Sequence, residues 1–165
     1  MSTGDFTHID EKHRPKMVDI TDKKASLRMA HARSFLLLPK IISETITKDG
    51  ELNSKKGSVF NTAIIAGTMA VKNTSTLIPF CHPLIIDGIK IDITLSLPNR
   101  IQIDCIVKIT GKTGVEMEAL TGASIAALTI YDMCKALSHE IVIEATSLIS
   151  KTGGKRNIQE GLLCE

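Results

Sequence analysis

Residues 85–110 read IIDGIKIDITLSLPNRIQIDCIVKIT, and this stretch decides the fold class. Ile89, Ile91, Ile93, Leu95 and Leu97 alternate with Lys90, Asp92, Thr94 and Ser96; after a break at Pro98 and Asn99, Ile101, Ile103, Cys105 and Val107 alternate with polar residues. A period of two over ten or more residues, interrupted by a turn dipeptide, predicts an antiparallel pair of strands over Ile85 to Leu97 and Arg100 to Thr110. Each strand keeps one polar face, so helices are expected on one side of the sheet only.

Working outward, TGKTGVEMEALTGASIAALTIYDMCKA at residues 110–136 changes to an apolar helical pattern. Gly111 and Gly114 punctuate its approach, and Thr113 followed by Glu116 fits a capping box. Glu140 to Ile149 reads as a further strand. On the N-terminal side, Ser58 is a suitable N-cap for the helix in VFNTAIIAGTMAVKN. Lys24 to Leu38 reads as another helix, Pro39 interrupts it, and Lys40 to Thr47 continues as a second helical segment. Met17 to Ile20 suits a short strand. Strand, helices, two strands, helix and strand in that order predict an α+β fold, a ferredoxin-like sandwich with an antiparallel sheet and helices packed on one face.

A chain of 165 residues is expected to form one domain, 1–165, with flexible ends at 1–15 and 152–165. Hydrophobic residues make up 43% and aromatic residues 3%, so the core must be built from aliphatic side chains. A net charge of +2, with Lys and Arg spread along the chain, does not suggest a nucleic-acid binder. The polar N-terminus lacks the apolar core of a signal peptide, and no apolar run spans a bilayer, which points to a cytoplasmic protein without a membrane partner. Cys81, Cys105, Cys134 and Cys164 form no CxxC pair and no zinc spacing; neither a metal nor another cofactor is expected. GKT at 111–113 is not the end of a phosphate loop, because Ile stands at 106 where the first glycine would have to be.

Charged residues within the apolar helix invite a chemical reading. Asp132 and Lys135 are three apart and share a helical face. Lys56 precedes Gly57 and a helix start, where backbone N–H groups and a positive charge together suit an anion. Glu118 and Asp132 lie on nearly the same side of the helix but about 21 Å apart along its axis. One helix cannot bring both to one small substrate. A pocket using both must therefore be built across a symmetric interface.

KMVDI at 16–20, KKGSVFNTAIIAG at 55–67, LIPFCHPL at 77–84, the run at 110–136 and SKTGGK at 150–155 together resemble, in order, the cyclic pyranopterin monophosphate synthase family of molybdenum cofactor biosynthesis. Phe80 stands where the family pattern has Leu. The resemblance implies a ferredoxin-like fold and a homohexamer arranged as a trimer of dimers. It implies a lyase that converts 3′,8-cyclo-7,8-dihydro-GTP to cyclic pyranopterin monophosphate and pyrophosphate. Asp132 matches the family's active-site aspartate, and Lys135 and Lys56 its essential lysines. Phe80, Cys81 and His82 match one substrate-binding segment, and Met117 and Glu118 a second, which also holds Glu116. Arg28, Lys151 and Lys155 are candidates for triphosphate contacts. The competing reading is a non-catalytic oligomeric carrier of a nucleotide or pterin, which would not need Asp132, Lys135 and Lys56 together.

Overall fold

The computed structural model describes residues 12–46, 50–54, 57–97, 99–154 and 156–159. Its centre is the strand pair expected from the alternation: β4 (Gly88–Leu97) and β5 (Arg100–Gly111) run antiparallel, with Ile91 opposite Cys105 and Ile93 opposite Ile103. Strand β1 (Ser26–Leu37) pairs antiparallel with the other edge of β5, and β6 (Val142–Thr152) closes the sheet beyond β1. The order is thus β4-β5-β1-β6. With the four long strands numbered in chain order this is 2-3-1-4, the arrangement of a ferredoxin-like α+β fold, as the element order predicts. A two-residue hairpin, β2 (Asn53–Ser54) with β3 (Gly57–Ser58), stands apart from this sheet.

Two long helices cover one face. Helix α4 (Glu116–Cys134) crosses β1, β5 and β6, while α2 (Val59–Lys72) packs on α4 and β4. Ser58 caps α2, its hydroxyl accepting the Asn61 N–H at 3.2 Å. Short turns of helix, α1 (Lys40–Ser43) and α3 (Thr74–Leu77), complete the set among the described residues. The core between the layers is aliphatic: Leu36, Ile101, Ile103 and Ile130 are fully buried among Ala119, Ala123, Ala126 and Ala127 of α4. No helix among the described residues is long and apolar enough to cross a membrane.

The helix expected over Lys24 to Leu38 is instead strand β1. Ala, Leu, Met and Arg favour helix locally, yet β1 is hydrogen-bonded along both edges, and tertiary pairing overrides propensity. Its alternation is concealed by composition. Ala30, Ala32, Ser34 and Leu36 are buried beneath the helices, while Met29, His31, Arg33 and Phe35 occupy the other face. The small residues let the sheet approach α4. On the opposite face the Asp104 carboxylate receives hydrogen bonds from Gln102 Nε2 at 2.6 Å and Arg33 Nε at 2.8 Å, with His31 Nε2 at 2.6 Å. Met17 to Ile20 forms no strand, and the helix after Pro39 is only the four residues of α1.

The capping box is also absent. Val115 is the N-cap residue of α4 and no side chain caps it; Glu116 turns back to bind Lys151. Lys151, near the end of β6, and Ile158 beyond it exchange backbone hydrogen bonds at 2.9 and 3.0 Å, so the described part of the tail folds back along the strand.

Candidate active site

The two ends of α4 carry two groups of the side chains singled out from the sequence. At the N-terminal end, Glu116 and Glu118 lie in the first turn, where the helix dipole favours negative charge. Glu118 is 4% exposed, and burial holds its carboxyl above the usual range; its own backbone N–H lowers it and the Glu116 charge raises it further. Beside it runs the segment Phe80, Cys81 and His82, turned after α3 by a Cys81 N–H to Ile78 C=O bond of 3.0 Å. Burial and the nearby Glu118 charge push the Cys81 thiol up.

These residues line a cavity of about 410 Å³ whose walls include Phe80, Cys81, His82, Met117 and Glu118, with Val18 and Ile20 contributed by the N-terminal strap. Lys112 holds that strap, its Nζ donating to the Thr21 carbonyl at 2.8 Å. An apolar surface with one buried carboxylate suits a flat heterocycle bearing N–H donors.

A second cavity, about 440 Å³, adjoins the first and shares Lys23, Thr113, Gly114 and Glu116 with it. Among the described residues its cations are Lys23, Arg28, Lys112, Lys151 and Arg156, against the single carboxylate of Glu116. Arg28 Nε donates to the Gly111 carbonyl at 2.9 Å, and Lys151 Nζ lies 2.6 Å from Glu116 Oε1. Such a concentration of positive charge suits a polyphosphate. The structure therefore brings Phe80, Cys81, His82, Met117, Glu118, Glu116, Arg28 and Lys151 to one continuous site.

Asp132 and Lys135 sit at the far end of α4, their oxygen and nitrogen 2.7 Å apart and both side chains exposed. The hydrogen bond from Lys135 to Asp132 raises the lysine's pKa. They line a separate cavity of about 880 Å³ together with Leu52, Ser54, Val59 and His139. Lys56 lies outside the described residues, but Ser54 on this cavity's wall and Gly57, with φ of 111°, flank the gap that contains it. Lys155 is likewise outside them. Within one chain, then, the aspartate and the two glutamates do not meet.

Sequence reasoning missed Lys23, Lys112, Arg156 and His139. Lys112 was visible in GKT, but only as part of a failed phosphate-loop pattern; no periodicity marks the other three.

Known proteins resemble this chain over most of its length. The MoaC family model matches residues 17–154, which include both ends of α4, the Phe80 segment and the cationic strand end. The chain is 53% identical over 153 residues to cyclic pyranopterin monophosphate synthase of Xanthomonas campestris pv. campestris (strain B100), covering 93% of this chain and 92% of that protein. It is 53% identical over 171 residues to molybdenum cofactor biosynthesis protein 1 of Dictyostelium discoideum, 94% of this chain but 27% of that longer protein. A molybdenum cofactor biosynthesis bifunctional protein of Synechocystis sp. (strain ATCC 27184 / PCC 6803 / Kazusa) is 54% identical over 159 residues, 94% of this chain and 46% of its own length. The chain thus spans about a quarter and under half of those two relatives, and nearly all of the first. With the family model spanning the sheet and both long helices, the chain belongs to the MoaC family.

Proposed function

We propose that this protein is a cyclic pyranopterin monophosphate synthase, a lyase that converts 3′,8-cyclo-7,8-dihydro-GTP to cyclic pyranopterin monophosphate and pyrophosphate in molybdenum cofactor biosynthesis. One observation carries the reading. A cavity with a buried carboxylate among apolar walls opens into a cavity ringed by cations, matching a guanine-derived ring joined to a triphosphate. Family membership and the names of the relatives support the same reaction.

The chemistry assigns roles. Glu118 accepts hydrogen bonds from the guanidine-like edge of the ring system, stacked between Phe80 and Met117. Arg28, Lys151 and Lys155 hold the triphosphate, joined by Lys23, Lys112 and Arg156. Ring opening and rebuilding need proton transfers, for which Asp132 serves as acid or base and Lys135 tunes it. In the final step a sugar hydroxyl oxygen forms a bond to the α-phosphorus as the bond to pyrophosphate breaks. The hydroxyl proton leaves to a base, and lysines, Lys56 among them, neutralise the charge that develops.

Asp132 lies about 21 Å along α4 from Glu118, so the two serve one substrate only when a second subunit supplies one of them. A homohexamer built as a trimer of dimers, with sites at subunit interfaces, meets that requirement. The reading treats residues 1–165 as one functional domain acting in the cytoplasm on a small molecule.

The test is incubation of purified protein with 3′,8-cyclo-7,8-dihydro-GTP, following pyrophosphate release and the mass of the pterin product. Stoichiometric appearance of both, lost in Lys56→Ala and Asp132→Ala, is the expected result. Tight binding with neither product sinks the enzyme reading in favour of a nucleotide or pterin carrier.

A further inference from the structure

The cationic cavity contains its own competitor. Among its described lining residues Glu116 is the single carboxylate, and it is paired at 2.6 Å with Lys151, one of the cations expected to hold phosphate. The pair is about a quarter exposed on each side, which leaves it partly shielded from water. Arg28 and Lys112 donate instead to the neutral carbonyls of Gly111 and Thr21, which a phosphate oxygen displaces more readily than it displaces a carboxylate.

The local sequence builds this arrangement. Glu116 is the first residue of α4, a position where unpaired N–H groups and the dipole attract any anion, phosphate included. Its carboxylate folds back over Gly114, where a Cβ would collide with it. The side chain thus holds the lysine beside the helix end without capping it. Glu116 also lines the ring cavity, so a bound heterocycle with N–H donors offers this carboxylate a new partner and frees Lys151.

We propose that Glu116 is a specificity-determining residue that competes with phosphate for Lys151, so that the site accepts a polyphosphate carrying a ring system and lets go of bare pyrophosphate. The inference rests on the phosphate reading of this cavity given above. Its physical logic is that cations binding substrate and leaving group equally well would trap the product. A carboxylate satisfied by the ring, but not by pyrophosphate, separates the two.

The experiment is calorimetric titration of inorganic pyrophosphate into the wild-type protein, Glu116→Gln, Gly114→Ala and Lys151→Ala. Removing the competing charge in Glu116→Gln is expected to tighten pyrophosphate binding roughly tenfold, a change of ~1.4 kcal/mol in binding free energy. Gly114→Ala, which displaces the carboxylate while keeping its charge, shifts it in the same direction, and Lys151→Ala weakens it. Steady-state kinetics of Glu116→Gln then show stronger product inhibition, which a merely structural role would not produce. Equal or weaker pyrophosphate binding by Glu116→Gln, with wild-type and Lys151→Ala still differing, overturns the competition and leaves the phosphate cavity standing. Absence of pyrophosphate binding in every protein overturns the cavity assignment, and the competition with it.

Discussion

Gly67 of α2 meets Gly122 of α4 backbone to backbone: a Cβ added at Gly67 would lie 2.8 Å from the Gly122 carbonyl oxygen and 2.7 Å from Ile91 Cδ1. The Ile91 methyl can swing aside, but the carbonyl belongs to a helix that cannot. Alanine gains up to about 1 kcal/mol of helix propensity over glycine, and overpacking costs about 1–3 kcal/mol, so the clash wins. Gly67→Ala is expected to lower the urea midpoint without changing the m-value. Gly88→Ala, where nothing lies within 4 Å of the added Cβ, serves as the near-neutral control.

Asp132 and Glu118 offer a test of assembly. Asp132→Ala is expected to cost about 10²–10⁴ in turnover through loss of proton transfer. Its pair with Lys135 is exposed, and exposed pairs add little to stability, so folding survives. Glu118→Ala is expected to be inactive for a different reason, loss of ring recognition. When the two inactive proteins are unfolded together and reassembled at random, roughly a quarter of the sites recover both groups, because each mixed interface restores one complete site. Recovered pyrophosphate release measures this. No recovery, with mixed oligomers demonstrated by mass, sinks the shared site.

The buried Glu118 carboxyl predicts a pH dependence of stability. Its folded-state pKa is raised above the ordinary 4.5, chiefly by burial. As pH rises from the unfolded value through the folded value, the unfolded state loses its proton first, so this group lowers stability progressively across that window and fully above it. Glu118→Gln keeps the shape and removes the titration. It should raise the melting temperature of the ligand-free protein at neutral pH, and the gain should vanish below about pH 4.5. An equal gain at every pH points to a cause other than ionisation.

Thiol labelling separates the cysteines by environment. Burial pushes Cys105 up to about 12, and Cys134 is also buried and raised, so both should resist iodoacetamide in the folded protein. Cys81 is partly exposed on the wall of the ring cavity and should label slowly at pH 8. A nucleoside triphosphate that fills the site should slow it at least several-fold, on the order expected when a ligand covers the sulfur. Peptide mapping by mass reads each position, and unchanged Cys81 labelling at saturating ligand contradicts the placement of the ring.

The sequence was most legible where one period dominates. The alternation from Ile89 to Val107 announced β4 and β5, and Ser58 marked the start of α2. Strand β1 was misread because its buried face is Ala30, Ala32 and Ser34, residues too small to register as an apolar stripe, while helix-favouring neighbours fill the gaps. The Thr113 and Glu116 spacing resembled a cap, but Lys151, 35 residues away along the chain, took the carboxylate. Long-range partners of this kind leave no local trace. The same is true of Lys23 and Arg156, which reach the cationic cavity from opposite ends of the sequence. The pairing of Asp132 with Lys135 was readable because three residues of helix enforce it.

Helix α4 acts as a ruler. With the roles proposed above, its 19 residues fix how far one subunit's acid/base end stands from that subunit's recognition end, and hence where a proposed neighbouring subunit must sit for the two to face each other. An insertion of four residues near Ala126 would advance the far end by about 6 Å and turn it by roughly 40°. Within a single chain that change is modest. Under the proposed symmetric assembly it recurs at every interface, so the helix length is tied to the geometry of the oligomer and cannot drift independently of it.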